Sequence, residues 1–159
     1  MADKFRALLV TKNGNRQSVA VTELMDADLM DGNVTVVVEH STVNYKDGLA
    51  VTGKAPIIRK FPLIPGIDLA GRVLRSEDPR FQAGDRVVLN GYGLGEVHHG
   101  GYAERARVKG DWLIRLPENI STGNAMAIGT AGYTSMLCVL ALENAGITPD
   151  KGDVLVTGA

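Results

Sequence analysis

Short runs in which apolar and polar residues alternate, separated by glycine- and proline-bearing turns, fill the chain as far as Leu116. Residues 5–10 read as an apolar strand that ends at the Lys12-Asn13-Gly14-Asn15 turn signal. Residues 17–24 alternate, Val19 and Val21 against Ala20 and Thr22, and pair with the first strand as a hairpin. The acidic segment 26–32 is a predicted loop. Val34, Val36 and Val38 then alternate with Thr35, Val37 and Glu39 in the best strand of the chain. Residues 47–51 predict one or two helical turns before Thr52-Gly53-Lys54. Two prolines bar residues 57–66 from a helix or an interior strand, so an extended loop covering a cleft is expected there. Strand character resumes over 68–74, with Gly71 marking a bulge or a close backbone approach. Segments 86–89, 103–108 and 113–116 complete the series. Short strands at this spacing predict a small β-barrel or sandwich.

After Leu116 the period changes. Ser121 is a candidate N-cap, without the Glu or Gln three positions on that would close a capping box. Residues 125–128 are helical in pattern, Gly129 interrupts, and Thr130 is placed to cap a second helix. In that helix Tyr133, Met136, Leu137 and Leu140 fall at i, i+3, i+4 and i+7, while Val139 and Leu142 cover other faces. A helix apolar on several faces is expected to be buried between two layers. Gly146 followed by Pro149 ends it. Residues 154–156 are a predicted apolar strand running into Thr157-Gly158-Ala159.

At 159 residues the chain suffices for one domain with a real core, or one domain and part of another. Hydrophobic residues make up 45% and charged residues 22%, which excludes wholesale disorder. The net charge is −1, with the two signs mixed along the chain and no basic stripe, so nucleic acid is a poor partner. The lone cysteine, Cys138, excludes an intrachain disulfide framework and a cysteine-rich zinc site. Its apolar neighbours predict a buried, inert side chain. The N-terminus lacks the apolar core and cleavage site of a signal peptide, and no apolar run reads as long enough to cross a bilayer. The expectation is a soluble, cytoplasmic protein with no membrane partner.

Candidate chemistry gathers where the best strand ends. Asn44, Tyr45, Lys46 and Asp47 place an amide, a phenol, an ammonium and a carboxylate in four consecutive positions. A scaffold aims reactive groups from such strand ends, yet Asn, Asp and Gly also make ordinary turns; both readings stand. His98-His99 has no third ligand beside it in sequence and reads as loop rather than metal site. Val154-Leu155-Val156-Thr157-Gly158-Ala159 is similar to the opening of a dinucleotide fingerprint, in which glycines let backbone approach a pyrophosphate.

Several separated segments, in order along the chain, resemble the medium-chain dehydrogenase/reductase superfamily. They are the turn 43–47, Pro65-Gly66-Ile67-Asp68-Leu69-Ala70-Gly71, Gly84-Asp85-Arg86-Val87, Gly101-Tyr102-Ala103-Glu104 and Gly129-Thr130-Ala131-Gly132-Tyr133-Thr134. Asn44-Tyr45-Lys46-Asp47-Gly48-Leu49-Ala50, Ser76-Glu77-Asp78-Pro79-Arg80-Phe81 and Val108-Lys109-Gly110-Asp111-Trp112-Leu113 resemble one branch, the zinc-independent quinone oxidoreductase-like enzymes of the acrylyl-CoA reductase type. The resemblance implies a mainly β fold with α: a GroES-like β-barrel catalytic domain over 1–120. Linker helices and the first strand of a truncated Rossmann domain would follow over 121–159. It implies NADPH bound between the two domains, with hydride passing to the β-carbon of an activated alkene such as an enoyl thioester. A quinone substrate is the alternative, as is a stand-alone barrel that binds a ligand without catalysis. Zinc-dependent relatives carry Cys and His where this chain has 44–47 and Ile67-Asp68, so the resemblance implies no metal. It implies a homodimer at full length. With the rest of the nucleotide fold missing, this piece alone is expected not to turn over substrate.

By the same resemblance Tyr45 lies beside the nicotinamide, able to hydrogen-bond a substrate carbonyl and to deliver or relay a proton. Asn44 either bonds substrate or holds the loop. Asp47 orients Lys46 or Tyr45, or caps the following turn. Thr130 either meets the nicotinamide or phosphate end of the cofactor or serves as an N-cap. Gly158 and Ala159 open the pyrophosphate turn. Asp68, in a ligand position of the zinc enzymes, is expected to anchor a loop.

Overall fold

A computed structural model describes residues 4–14 and 16–157. Two long antiparallel strands, β1 (Lys4–Asn13) and β2 (Arg16–Met25), form the expected hairpin, in register from Lys4↔Met25 to Asn13↔Arg16. The next strands are β3 (Val34–His40), β4 (Asp68–Ser76), β5 (Arg86–Asn90), β6 (Arg105–Val108) and the two-residue β7 (Ile114–Arg115). They make a five-stranded antiparallel sheet in the order β6-β3-β4-β5-β7. Val34, Val36, Leu69, Val73, Val87, Leu89, Ala106 and Val108 point from these strands into one apolar core, joined by Leu94 and Leu113. The alternation read in sequence thus sorts core from surface.

The hairpin is stitched to this sheet by loops. Leu8 N–H donates to the Tyr102 carbonyl at 2.8 Å, and Val10 and Leu63 exchange backbone hydrogen bonds at 2.8 and 2.9 Å. Segment 57–66 forms neither a helix nor a ladder strand, as its prolines require; it supplies core, and its Ile58 and Phe61 also wall an open cavity. Ile58 and Leu63 pack with Val10 and Ala50, and Ile64 with Phe5, Ala7 and Leu29. Gly71 sits where the β3–β4 register shifts; a Cβ there would lie 2.0 Å from the Val37 carbonyl oxygen. That is the close approach its place in the strand predicts.

Two α-helices, α1 (Tyr45–Thr52) and α2 (Thr122–Asn144), and three single-turn 3-10 helices complete the described structure. Ser121 caps α2 by accepting from Asn124 N–H at 3.0 Å. Ala125 and Met126 dock against Ala70 and Leu116. At Gly129 the backbone leaves helical geometry (φ 52, ψ −164), and the helix restarts at Thr130.

Three expectations about this end are overturned. Beyond Gly129 the apolar face is not buried between layers: Tyr133, Met136, Leu137, Val139 and Leu140 are all exposed, since no second layer covers them among the described residues. Cys138, on the same stretch, is exposed rather than buried. Residues 154–156 form no strand, because an isolated extended segment has no ladder partner here. Joined across the kink, α2 is also long and apolar enough to cross a membrane by length and composition, which the piecewise sequence reading missed. Its start, however, is pinned to the sheet where Thr122 Oγ1 donates to Glu39 at 2.7 Å, and its restart at Thr130 is held by the bonds described next.

Candidate active site

The strand β3 delivers the chain to Asn44, whose extended backbone (φ −104, ψ 161) makes it the N-cap of α1. Asp47 lies one turn on and reaches back: its Oδ2 accepts from Asn44 N–H at 2.9 Å and from Asn44 Nδ2 at 3.1 Å. Its Oδ1 accepts from Ile67 N–H at 3.0 Å. Asp47 is only 2% exposed, so these bonds are its environment. It closes the first turn of α1 and ties that turn to the 65–67 loop, one of the roles its position allowed. Lys46 is not its partner; that ammonium pairs with Glu96.

Asp68, at the first position of β4, is fully buried and is the hub of the site. Its carboxylate accepts from Asn44 Nδ2 at 2.8 Å, Asn90 Nδ2 at 2.7 Å, Thr130 N–H at 3.0 Å and Thr130 Oγ1 at 2.5 Å. Every one of these donors is uncharged. A buried carboxylate is stable only when so satisfied, and its cost is met here by four donors from three separate segments. Ser41 Oγ adds a bond to the Asp68 backbone carbonyl at 2.7 Å. The expected loop anchor is a junction joining the start of α1, the end of β5 and the restart of α2. Gly129 is required at this junction: its φ of +52 disfavours a side chain, and a Cβ would lie 2.8 Å from Thr42 Cγ2.

Thr130 therefore does not cap its own helix with its side chain. Its amide and its hydroxyl proton are both spent on Asp68, and only its oxygen lone pairs stay free to accept.

Tyr45 is different in kind. It is 84% exposed, and neither its hydroxyl nor its ring has a partner among the described residues. It lines an open cavity of about 440 Å³ with Val43, Asn44, Gly48, Leu49, Thr52 and Lys54. Of the residues singled out in the sequence, Asn44, Asp47, Asp68 and Thr130 are brought together by hydrogen bonds, and Tyr45 stands next to them on the solvent side of α1. Gly158 and Ala159 lie outside the described residues.

Two site residues were not picked out from sequence. Asn90 ends β5 and holds Asp68. Tyr102 donates to the Thr42 carbonyl at 3.1 Å. Burial, then the charge and hydrogen-bonding of Asp47 and the charge of Asp68, raise the Tyr102 phenol above its ordinary value, keeping it a protonated donor. The Gly100-Gly101 pair before it was the available signal: Cβ atoms there would lie 2.2 Å from the Gly66 and Asp68 carbonyl oxygens. His99 is buried and accepts from Ile64 N–H through Nδ1 at 3.2 Å, while burial lowers its pKa. His98 sets its ring edge-on to Trp112 at 5.2 Å. Among the described residues no three His, Cys, Asp or Glu side chains gather as a metal-binding group.

A β-sheet core with a capped turn at its mouth, and a helix restarting against a strand carboxylate, marks a known architecture. Residues 30–118 match the alcohol dehydrogenase GroES-like domain, and the chain belongs to that family. It is similar to the probable acrylyl-CoA reductase AcuI of Escherichia coli (strain K12), 55% identical over 154 residues that cover 97% of this chain and 48% of that protein. The putative quinone oxidoreductase YhfP of Bacillus subtilis (strain 168) is 48% identical, over 100% of this chain and 48% of the relative. Among solved structures, the YhdH oxidoreductase from Salmonella enterica in complex with NADP is 58% identical with a TM-score of 0.93, over 96% of this chain and 47% of that one. Bacillus subtilis YhfP with NAD bound gives a TM-score of 0.93 over 99% of this chain and 48% of that one. The chain thus spans about half the length of the relatives it matches.

Proposed function

We propose that this chain is the N-terminal part of a zinc-independent, NADPH-dependent reductase of activated C=C bonds, acting on a short enoyl thioester of the acrylyl-CoA kind. In this reading residues 1–120 are the catalytic domain and 121–159 lead into the nucleotide-binding domain; the enzyme is cytoplasmic and homodimeric. The observation that carries it is the pairing of an unengaged phenol, Tyr45, with the rigid Asn44–Asp68–Thr130 chain beside it.

NADPH, when bound, supplies the hydride for the β-carbon. The residues of this chain fit its nicotinamide end better than its phosphates. Thr130 Oγ1, with its proton committed to Asp68, is an acceptor suited to a carboxamide N–H. The neighbouring Asp68 carboxylate repels a phosphate. Tyr45 has donor and acceptor free, so it hydrogen-bonds the thioester carbonyl and delivers a proton to the α-carbon, directly or through water. Asn44 and Asp47 act as positioning residues, fixing the turn from which Tyr45 projects.

The test is steady-state kinetics of this chain joined to the C-terminal half of the Escherichia coli relative, with acryloyl-CoA, crotonyl-CoA and a quinone as substrates and NADPH or NADH as donor. Acryloyl-CoA with NADPH is expected to give the highest kcat/KM. Tyr45→Phe is expected to lower kcat about a hundredfold or more, the range a positioned general acid supplies. An active fusion whose Tyr45→Phe variant keeps full rate would remove the phenol from the mechanism. Quinone reduction in preference to acryloyl-CoA would instead favour the second reading, a quinone oxidoreductase, which the printed name of the Bacillus subtilis relative supports.

A further inference from the structure

We infer that Lys12 and Lys54 form a subsite for the phosphate-bearing tail of a coenzyme A thioester; the inference rests on the reading above and extends it. The cavity beside Tyr45 is apolar along Val43 and Leu49 and ends at Lys54. Lys54 is also a wall of a second cavity, about 260 Å³, lined by Lys12, Gln17, Gly53, Ala55, Pro56, Ile58 and Phe61. The two cavities therefore share Lys54 as a common wall. A path runs from the phenol, along an apolar wall, to a pair of cations.

Those cations are not used by the fold. Neither Lys12 nor Lys54 has a carboxylate partner among the described residues, whereas Lys46 and Arg59 nearby share Glu96. Lys12 lies 5.6 Å from the centre of the Phe61 ring, which holds its stem at the cavity without neutralising its charge. Lys60 adds another exposed cation on this segment. No acidic residue lines either cavity. A net charge of −1 for the whole chain makes this basic face a local excess rather than a general property. The helix C-terminus does not consume these lysines either: Gln17 Nε2 already donates to the Ala50 and Val51 carbonyls, at 2.9 and 3.0 Å. Gly53, with φ +67, turns the chain at once so that Lys54 stands over both cavities.

A ligand suited to this path is short and apolar at the reacting end and carries several phosphates at the other. A coenzyme A thioester has that distribution, and a quinone does not. The lysines contribute affinity and register, and Tyr45 the chemistry, so the two contributions separate experimentally.

Amide resonances of the isotope-labelled chain are followed during titration with adenosine 3′,5′-bisphosphate, coenzyme A and pantetheine. The bisphosphate and coenzyme A are expected to shift Lys12, Gly53, Lys54 and Ala55, and pantetheine to shift Val43, Gly48 and Leu49. The Lys12→Ala/Lys54→Ala double variant should bind coenzyme A about tenfold more weakly or worse, leave pantetheine unchanged, and be rescued in part by Lys12→Arg/Lys54→Arg. Unchanged backbone spectra elsewhere verify that the variants fold. Coenzyme A affinity that survives in the double variant, or shifts confined to other surfaces, overturns the subsite. In the active fusion, acryloyl-CoA reduction with a KM indifferent to both lysines overturns the subsite and leaves the reductase reading standing. Lysine-dependent coenzyme A binding without acryloyl-CoA reduction supports the subsite and overturns the reductase reading.

Discussion

The two sides of α1 are opposite in character. On the inner side Asp47 and Ala50 are 2% exposed, and Asp47 is bonded to the backbone on both oxygens. On the outer side Tyr45 is exposed, and with Gly48, Leu49 and Lys54 it walls an open cavity. The inner side is where the eight-residue helix gets its stability, since so short a helix is marginal alone. Reactive groups placed on the outer side need supply none of it. On the proposed function, chemistry and folding are thereby divided between adjacent residues, Tyr45 against Asn44 and Asp47.

That division can be attacked from its strongest point. Asp68→Ala leaves the donors of Asn44, Asn90 and Thr130 facing a void, and chemical denaturation should show a loss of about 4 kcal/mol. A loss under about 1 kcal/mol would mean the junction is not structural. Asp47→Ala removes the cap of α1 and the partner of Ile67 N–H, and should cost about 2 kcal/mol in the same measurement.

A smaller, pH-dependent effect belongs to the far end of β4, just past Ser76. Arg80, chiefly by hydrogen bonding, holds the Asp78 carboxyl at about 2, below its ordinary value near 4. The folded chain therefore binds that proton less readily than the unfolded one. The stabilisation is complete above pH of about 4 and lost as pH falls toward 2. Asp78→Asn should flatten thermal stability against pH in that window and leave the site at α1 undisturbed. Smallest of all, Tyr45→Phe should move the unfolding midpoint by less than about 0.5 kcal/mol equivalent, whatever it does to catalysis. A large destabilisation by Tyr45→Phe would collapse the contrast between the two sides.

Much of the fold could be read in sequence because its core residues alternate and its turns carry Gly and Pro. The hairpin, the valine strand 34–38, the Gly71 approach and the Ser121 cap all follow from local pattern. The segment 57–66 shows the limit: prolines exclude a ladder strand, but only tertiary pairing with Val10 reveals that Leu63 and Ile64 are core. Helix α2 shows another limit. Apolar periodicity predicts a buried face, and beyond Gly129 no described element covers it. In the site, the four polar residues 44–47 past the end of β3 stood out as candidate chemistry, with an ordinary turn as the other reading. Asp68 as a four-donor hub did not, because its partners Asn44, Asn90 and Thr130 are scattered over 87 positions and each is unremarkable alone. Tyr102 was hinted at only by two glycines before it.

The kink at Gly129 has a wider reach than its own turn. Because one carboxylate grips both the helix that restarts there and the amide beside Tyr45, the heading of everything after residue 130 and the seat of the phenol share a single pivot. Re-aiming one drags the other, so a substitution at that glycine would act like a bent hinge pin.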